Sequence, residues 1–156
     1  MADFSNDTPG VMACPPSVFL GALAAGLFLH WLAPVQPFPL ILSQSLGGAF
    51  CLAGITVGIW GGTTMRRAGT NARPGRPVTA LVTGGPFRFS RNPLYLSLTA
   101  LYLGVTLLFD AIWPLATLLP ALAVVHWRIV LREEQFLESR FGDAYRAYKA
   151  RVHRWL

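Results

Sequence analysis

Residues 93–127 read PLYLSLTALYLGVTLLFDAIWPLATLLPALAVVHW, two apolar runs of seventeen residues split by the single acid Asp110. Neither run contains Lys, Arg or Glu. A backbone crosses hydrocarbon only when all its polar groups pair internally, so such runs are expected to be helices. Each is short against the roughly 20 residues a full span takes, and tilt or local thinning of the bilayer makes up the difference. With only Asp110 between them, the two form an antiparallel hairpin. Upstream lie two further apolar runs, Val18–Ala33 (VFLGALAAGLFLHWLA) and Leu40–Met65, separated by the Pro34-to-Pro39 stretch. The pattern predicts an all-α integral membrane bundle of about four transmembrane helices. It forms a single membrane domain over 1–156, with two N-terminal spans in 1–65 and a second region in 66–156.

Composition agrees. Of the 156 residues 53% are hydrophobic and 13% charged, about half the ~25% charge content of a soluble domain. All thirteen Lys and Arg residues fall within 66–91 and 128–154. Four crossings put the N-terminus, the 66–92 loop and the C-terminal tail on one side, where these cations count zero, six and seven. The opposite loops, 34–39 and 110, contain none. The positive-inside rule then predicts a multi-pass protein with both termini cytoplasmic. The formal charge of +6 flanks apolar runs instead of striping a polar domain, which points to membrane lipids as partners and away from nucleic acid. Cys14 and Cys51 provide neither a disulfide framework nor a metal site.

Within the second run Gly47, Cys51, Gly54, Gly58 and Gly62 line one helical face. Such spacing serves a packing seam inside the bundle, with self-association as the minor alternative. His30 and His126 adjoin Trp31 and Trp127 and read as aromatic-belt residues. Pro114 and Pro120 are expected to begin or bend the fourth span.

The cytoplasmic loop ends in Thr79-Ala-Leu-Val-Thr-Gly-Gly-Pro-Phe-Arg-Phe-Ser-Arg-Asn-Pro-Leu-Tyr95. Gly84-Gly85-Pro86 is a turn, Asn92 an N-cap and Pro93 a first helical residue. Structurally, Arg88 and Arg91 would bind lipid phosphates while Phe87 and Phe89 enter the interface. Functionally, a helix N-terminus beside the aromatic faces of Phe87 and Tyr95 suits a ligand with a carboxylate, an adenine and a cation. S-adenosylmethionine is such a ligand. No G-x-G-x-x-G loop or strand–helix alternation supports a Rossmann domain.

In the tail, Leu137, Phe141, Tyr145, Tyr148 and Val152 form a helical apolar stripe. Stepping back by fours reaches Glu133, which places Glu133 on the packed face with Glu134 about 100° away. A packed carboxylate needs a partner, either Arg88 or Arg91 of the loop or a ligand. Gly142 interrupts this helix, and its basic end is suited to lie on anionic lipid.

The segments Leu-Val-Thr-Gly-Gly-Pro-Phe-Arg-Phe-Ser-Arg-Asn-Pro-Leu-Tyr (81–95) and Glu-Glu-x6-Phe-Gly-x2-Tyr-x2-Tyr-x3-Val (133–152) together resemble the isoprenylcysteine carboxyl methyltransferase-like family, which shares features with phospholipid methyltransferases. The resemblance covers about 66–154. It implies an integral membrane enzyme that uses S-adenosylmethionine, its cofactor site formed by the cytoplasmic loop and the C-terminal amphipathic helix. Carried over, the cofactor-binding residues are Thr79, Ala80, Leu81, Val82, Phe87, Asn92, Pro93, Leu94, Tyr95 and Glu133. Asn92 stands where eukaryotic relatives have His, so acid–base work is not expected of it, and no catalytic residue is assigned. A family Arg that holds the substrate carboxylate has Ile129 at its place here, with Arg128 or Arg132 as substitutes. Arg88, Arg91, Arg128 and Arg132 are the candidates for steering an acceptor. The expected acceptor is lipidic or prenylated and enters from the bilayer. A carboxyl O-methylation is favoured, because a carboxylate needs no deprotonation and His153 is the only histidine in the cytoplasmic segments. The rivals are an NADPH-dependent membrane sterol-type reductase and a non-enzymatic membrane scaffold.

Overall fold

A computed structural model describes residues 14–70 and 78–156 of the chain. The described residues form helices and turns with no strand: α1 (Pro15–Leu32), α2 (Leu40–Arg67), a short 3-10 turn (Gly85–Arg88), α3 (Pro93–Leu108), α4 (Trp113–Val124), a π-helical segment (Val125–Val130) and α5 (Leu131–Arg151). This is an all-α membrane bundle. Helices α1, α2 and the rod begun by α4 are long and apolar enough to cross a bilayer, and α3 is a shorter apolar helix. Leu20, Phe28, Trp31, Ile41, Leu52, Ile59 and Leu119 are all exposed. So many large apolar side chains facing outward suit lipid as the surrounding solvent.

Two helix pairs make the bundle. The small-residue stripe of α2 packs on α3, as a seam within the chain. Gly47, Cys51, Gly54 and Gly58 take part as expected, but Gly61 replaces Gly62, around which there is open space. The approach is closest where Gly104 faces Cys51: a Cβ on Gly104 would stand 2.5 Å from the Cys51 sulfur and 2.7 Å from its backbone nitrogen. The second pair is α1 with α4, where a Cβ on Gly26 would stand 2.5 Å from the Cα of Pro114. Pro114 lies in the first turn of α4, whereas Pro120 lies inside it.

The expected hairpin is present but splayed, since α3 and α4 pack mainly against α2 and α1 and little on each other. The buried Tyr102 bridges the two pairs: its hydroxyl donates to the Pro114 carbonyl at 2.9 Å, lies 2.8 Å from Thr117 Oγ1, and its ring meets Phe19 edge-on. Asp110 takes a left-handed conformation (φ 48°), and its carboxylate accepts a hydrogen bond from the Phe38 N–H at 3.2 Å. Trp113 Nε1 donates to the Ala33 carbonyl at 2.7 Å. The two loops of the side without Lys or Arg are thereby joined.

The fourth span is not a separate element. Trp113–Arg151 is one rod of 39 residues, running through the π segment without a break at Trp127. Its apolar part ends at Trp127, and Arg128 opens the polar part. Val125, Ile129 and Val130 of the π segment are fully buried against the bundle. Gly142 (φ 51°, ψ −124°) kinks α5, as its position in the sequence predicts.

Candidate functional site

The start of α3 and the start of α5 meet where the two sequence motifs come together. Pro93 occupies the first helical position, so no N–H is lost there, and Tyr95 follows in the same turn. The Tyr95 hydroxyl donates to the Glu133 carboxylate and lies 2.9 Å from both of its oxygens. Burial pushes the Glu133 carboxyl up to about 7, and the Tyr95 hydrogen bond opposes the rise. Tyr95 is buried and Glu133 half-buried.

The orientation of the Glu pair differs from expectation. Glu134, not Glu133, is the more buried acid, and Glu134 forms the ion pair with the loop. Its Oε1 lies 3.0 Å from Arg91 Nη1, while Arg154 grips it through Nε and Nη2 at 2.9 and 2.8 Å. The fully buried part of the stripe, Tyr145 and Tyr148, lies beyond the Gly142 kink. Before the kink only Leu137 and Phe141 carry the phase to 133, and both are half-buried. On the other side, the i→i+5 bonding of the π segment shifts the phase again.

Arg91 is thus an internal ion-pair member, with its side chain 8% exposed. Its Nη1 also reaches the Tyr145 hydroxyl at 3.4 Å. Its Nε is buried with no partner. Asn92 stands at the N-cap position, but its side chain does not cap the helix; Nδ2 donates instead to the Arg154 carbonyl at 3.0 Å. Phe87 is half-buried, and its carbonyl accepts from the Tyr148 hydroxyl at 2.7 Å. Burial pushes that hydroxyl up to about 12, which keeps it a donor. Phe89 is exposed beside Trp60, with ring centroids 6.2 Å apart.

The remaining expected residues lie elsewhere. Thr79 is tied to the end of α2, its hydroxyl donating to the Gly69 carbonyl at 2.8 Å and its N–H directed at Thr70 Oγ1 at 3.4 Å. Ala80, Leu81 and Val82 follow, half-buried and without helical structure, and Leu94 packs toward Gly61. Arg88, Arg128 and Arg132 are exposed, and none forms an ion pair among the described residues. The expected roof formed by the 66–92 loop falls partly on 71–77, outside the described residues. His126 adjoins the rings of Trp127 and Trp155, consistent with an aromatic cluster.

Sequence reasoning missed Ser90, Glu134 and Arg154. Ser90 and Arg154 carry only the weak signal of a polar residue next to a motif. Glu134 carries a direct one, an acid adjacent to Glu133, which a straight-helix count turns about 100° from the packed face.

A family model described as phospholipid methyltransferase matches residues 42–144, from the first turn of α2 to just past the Gly142 kink. A protein of Haemophilus influenzae, described as an uncharacterized protein, is 44% identical over 64 residues, which is 40% of this chain and all of that protein. No solved structure matches the chain.

Proposed function

This chain belongs to the phospholipid methyltransferase family of integral membrane methyltransferases, and we propose that it methylates a lipidic or prenylated acceptor with S-adenosylmethionine, preferentially at a carboxylate. The observation that carries this reading is the Tyr95–Glu133 contact. Two motif residues 38 positions apart share one hydrogen-bonded pair at the basic end of the bundle.

The residues fit the cofactor's groups. Glu133 offers an acceptor for its ammonium, and Tyr95 and Phe87 offer ring faces to its adenine or sulfonium. The unpartnered Arg91 Nε supplies a buried donor for an anion. S-adenosylmethionine, held by these residues, would supply an electrophilic methyl group to an acceptor oxygen. The protein's own tasks are alignment and exclusion of water. Arg88, Arg128 and Arg132, exposed and without ion-pair partners, are placed to steer an anionic head group on a cytoplasmic face. Glu133 lacks an arginine partner and is already held by Tyr95, so its carboxylate is the group free to meet a cation.

Isothermal titration of the detergent-solubilised protein with S-adenosylhomocysteine, beside NADPH, tests the reading. Binding of S-adenosylhomocysteine alone supports it. Binding of NADPH alone turns it toward a reductase, and binding of neither toward a scaffold. Transfer of labelled methyl from S-adenosylmethionine to total membrane lipid, followed by base-labile release of the label, tests the carboxylate preference. Label that resists base overturns that preference.

A further inference from the structure

The chain leaves α5 at Val152 in extended conformation (φ −123°, ψ 129°), and His153 and Arg154 of this strap (152–156) then cross the start of α3. Three consecutive residues of the loop motif spend their donors on this strap. The Arg91 N–H donates to the His153 carbonyl at 3.0 Å, the Ser90 hydroxyl to the Arg154 carbonyl at 3.2 Å, and Asn92 Nδ2 to that same carbonyl at 3.0 Å. On its other side Arg154 holds Glu134 through two nitrogens. Trp155 meets His126 of the π segment with ring centroids 6.1 Å apart. Three neighbouring strap residues therefore grip the start of α3, the start of α5 and the segment between α4 and α5.

That arrangement matters because α3 and α5 have no extended packing on one another; α3 rests on α2, and α5 continues from the π segment. Tyr95 shares the core with Ile129 and Val130 just before α5, and the polar links across the start of α3 and α5 come from the strap and the ion cluster of Arg91, Glu134 and Arg154. The strap also lies beyond residues 42–144, the stretch the family shares. We propose that Arg154 is a positioning residue of the cofactor site: with its carbonyl on Ser90 and Asn92 and its guanidinium on Glu134, it fixes the start of α3 against α5 and so keeps Tyr95 and Glu133 in register.

The inference rests on the cofactor reading above, and its test has two arms. In the first, Arg154→Ala and Arg154→Lys are titrated with S-adenosylhomocysteine after circular dichroism shows parental helicity. Misalignment of a site costs up to about 100-fold; Arg154→Ala is expected to weaken binding by about ten-fold or more, and Arg154→Lys to recover part of it. A residue that serves stability alone would lower the melting temperature and leave that affinity unchanged. The second arm, amide hydrogen exchange over residues 88–96, needs no cofactor, and Arg154→Ala is expected to speed it. If the parent binds no S-adenosylhomocysteine, the cofactor reading fails, and faster exchange still supports the clamp. Parental affinity in folded Arg154→Ala, or unchanged exchange over 88–96, overturns the proposal. Where Arg154→Ala does not fold, Ser90→Ala removes one strap bond and is read in the same way.

Discussion

The Tyr95 hydroxyl sits 2.9 Å from each carboxylate oxygen of Glu133, centred on the carboxylate and not on one oxygen. A phenol so placed stabilises the charged carboxylate against the burial that disfavours it. Tyr95→Phe removes the donor and keeps the ring. Hydrogen bonds to charged groups contribute about 1.5–3 kcal/mol, so affinity for S-adenosylhomocysteine is expected to drop by about ten- to a hundred-fold. Titration calorimetry measures this, and an unchanged affinity would separate Tyr95 from the cofactor.

Glu133 also sets a pH dependence. Its folded-state carboxyl is raised from 4.5 to about 7. The folded protein therefore holds a proton that the unfolded chain has released, and stability declines as pH rises from 4.5 to about 7. Glu133→Gln should flatten that decline, so that it stabilises the protein at pH 8 relative to the parent and changes little at pH 5. Thermal unfolding in detergent at the two values reads the difference. A cationic ligand group favours the carboxylate, so affinity for S-adenosylmethionine should rise over the same window.

The neighbouring acid behaves oppositely. Glu134→Gln leaves the buried Arg91 guanidinium without its counter-charge, and breaking a buried pair from one side costs about 3–5 kcal/mol. Denaturant titration should therefore rank Glu134→Gln well below Glu133→Gln in stability. The reverse order would contradict the assignment of the packed acid.

The seam between α2 and α3 makes a steric prediction. Gly104→Ala places a methyl group 2.5 Å from the Cys51 sulfur, and overpacking of this kind costs about 1–3 kcal/mol. Gly62→Ala meets open space and should stabilise the helix by about 0.5–1 kcal/mol. Unfolding measurements on the two variants should move in opposite directions.

Replacing Arg88, Arg128 and Arg132 together by Gln should reduce methyl transfer to acceptors in anionic vesicles several-fold and leave affinity for S-adenosylhomocysteine unchanged. Lowered affinity would place one of them in the cofactor site.

Much of this was legible in the sequence. Long uninterrupted apolar runs announce membrane helices without reference to neighbours, and the stripe from Gly47 to Gly58 announces its seam through spacing alone. Motif resemblance assigns Tyr95 and Glu133 to one site but not to direct contact, since no local rule links residues 38 apart. What escaped was phase. A helical count holds only while φ and ψ stay helical, and Gly142 and the π segment each break the count that Glu133 and Glu134 depend on. The strap was hidden for another reason: its contacts use backbone carbonyls of His153 and Arg154, which any residue type carries.

The helical run from Trp113 through the π segment to the Gly142 kink turns the site into the far end of a lever. Glu133 lies 20 residues along from Trp113, about 30 Å at 1.5 Å per residue, so a tilt of about 5° about the Trp113 end carries it sideways by roughly 2.6 Å. Helices tilt to match bilayer thickness. A tilt of that size would part Glu133 from Tyr95 by nearly the length of their hydrogen bond, and the strap after Val152 is placed where it resists that motion.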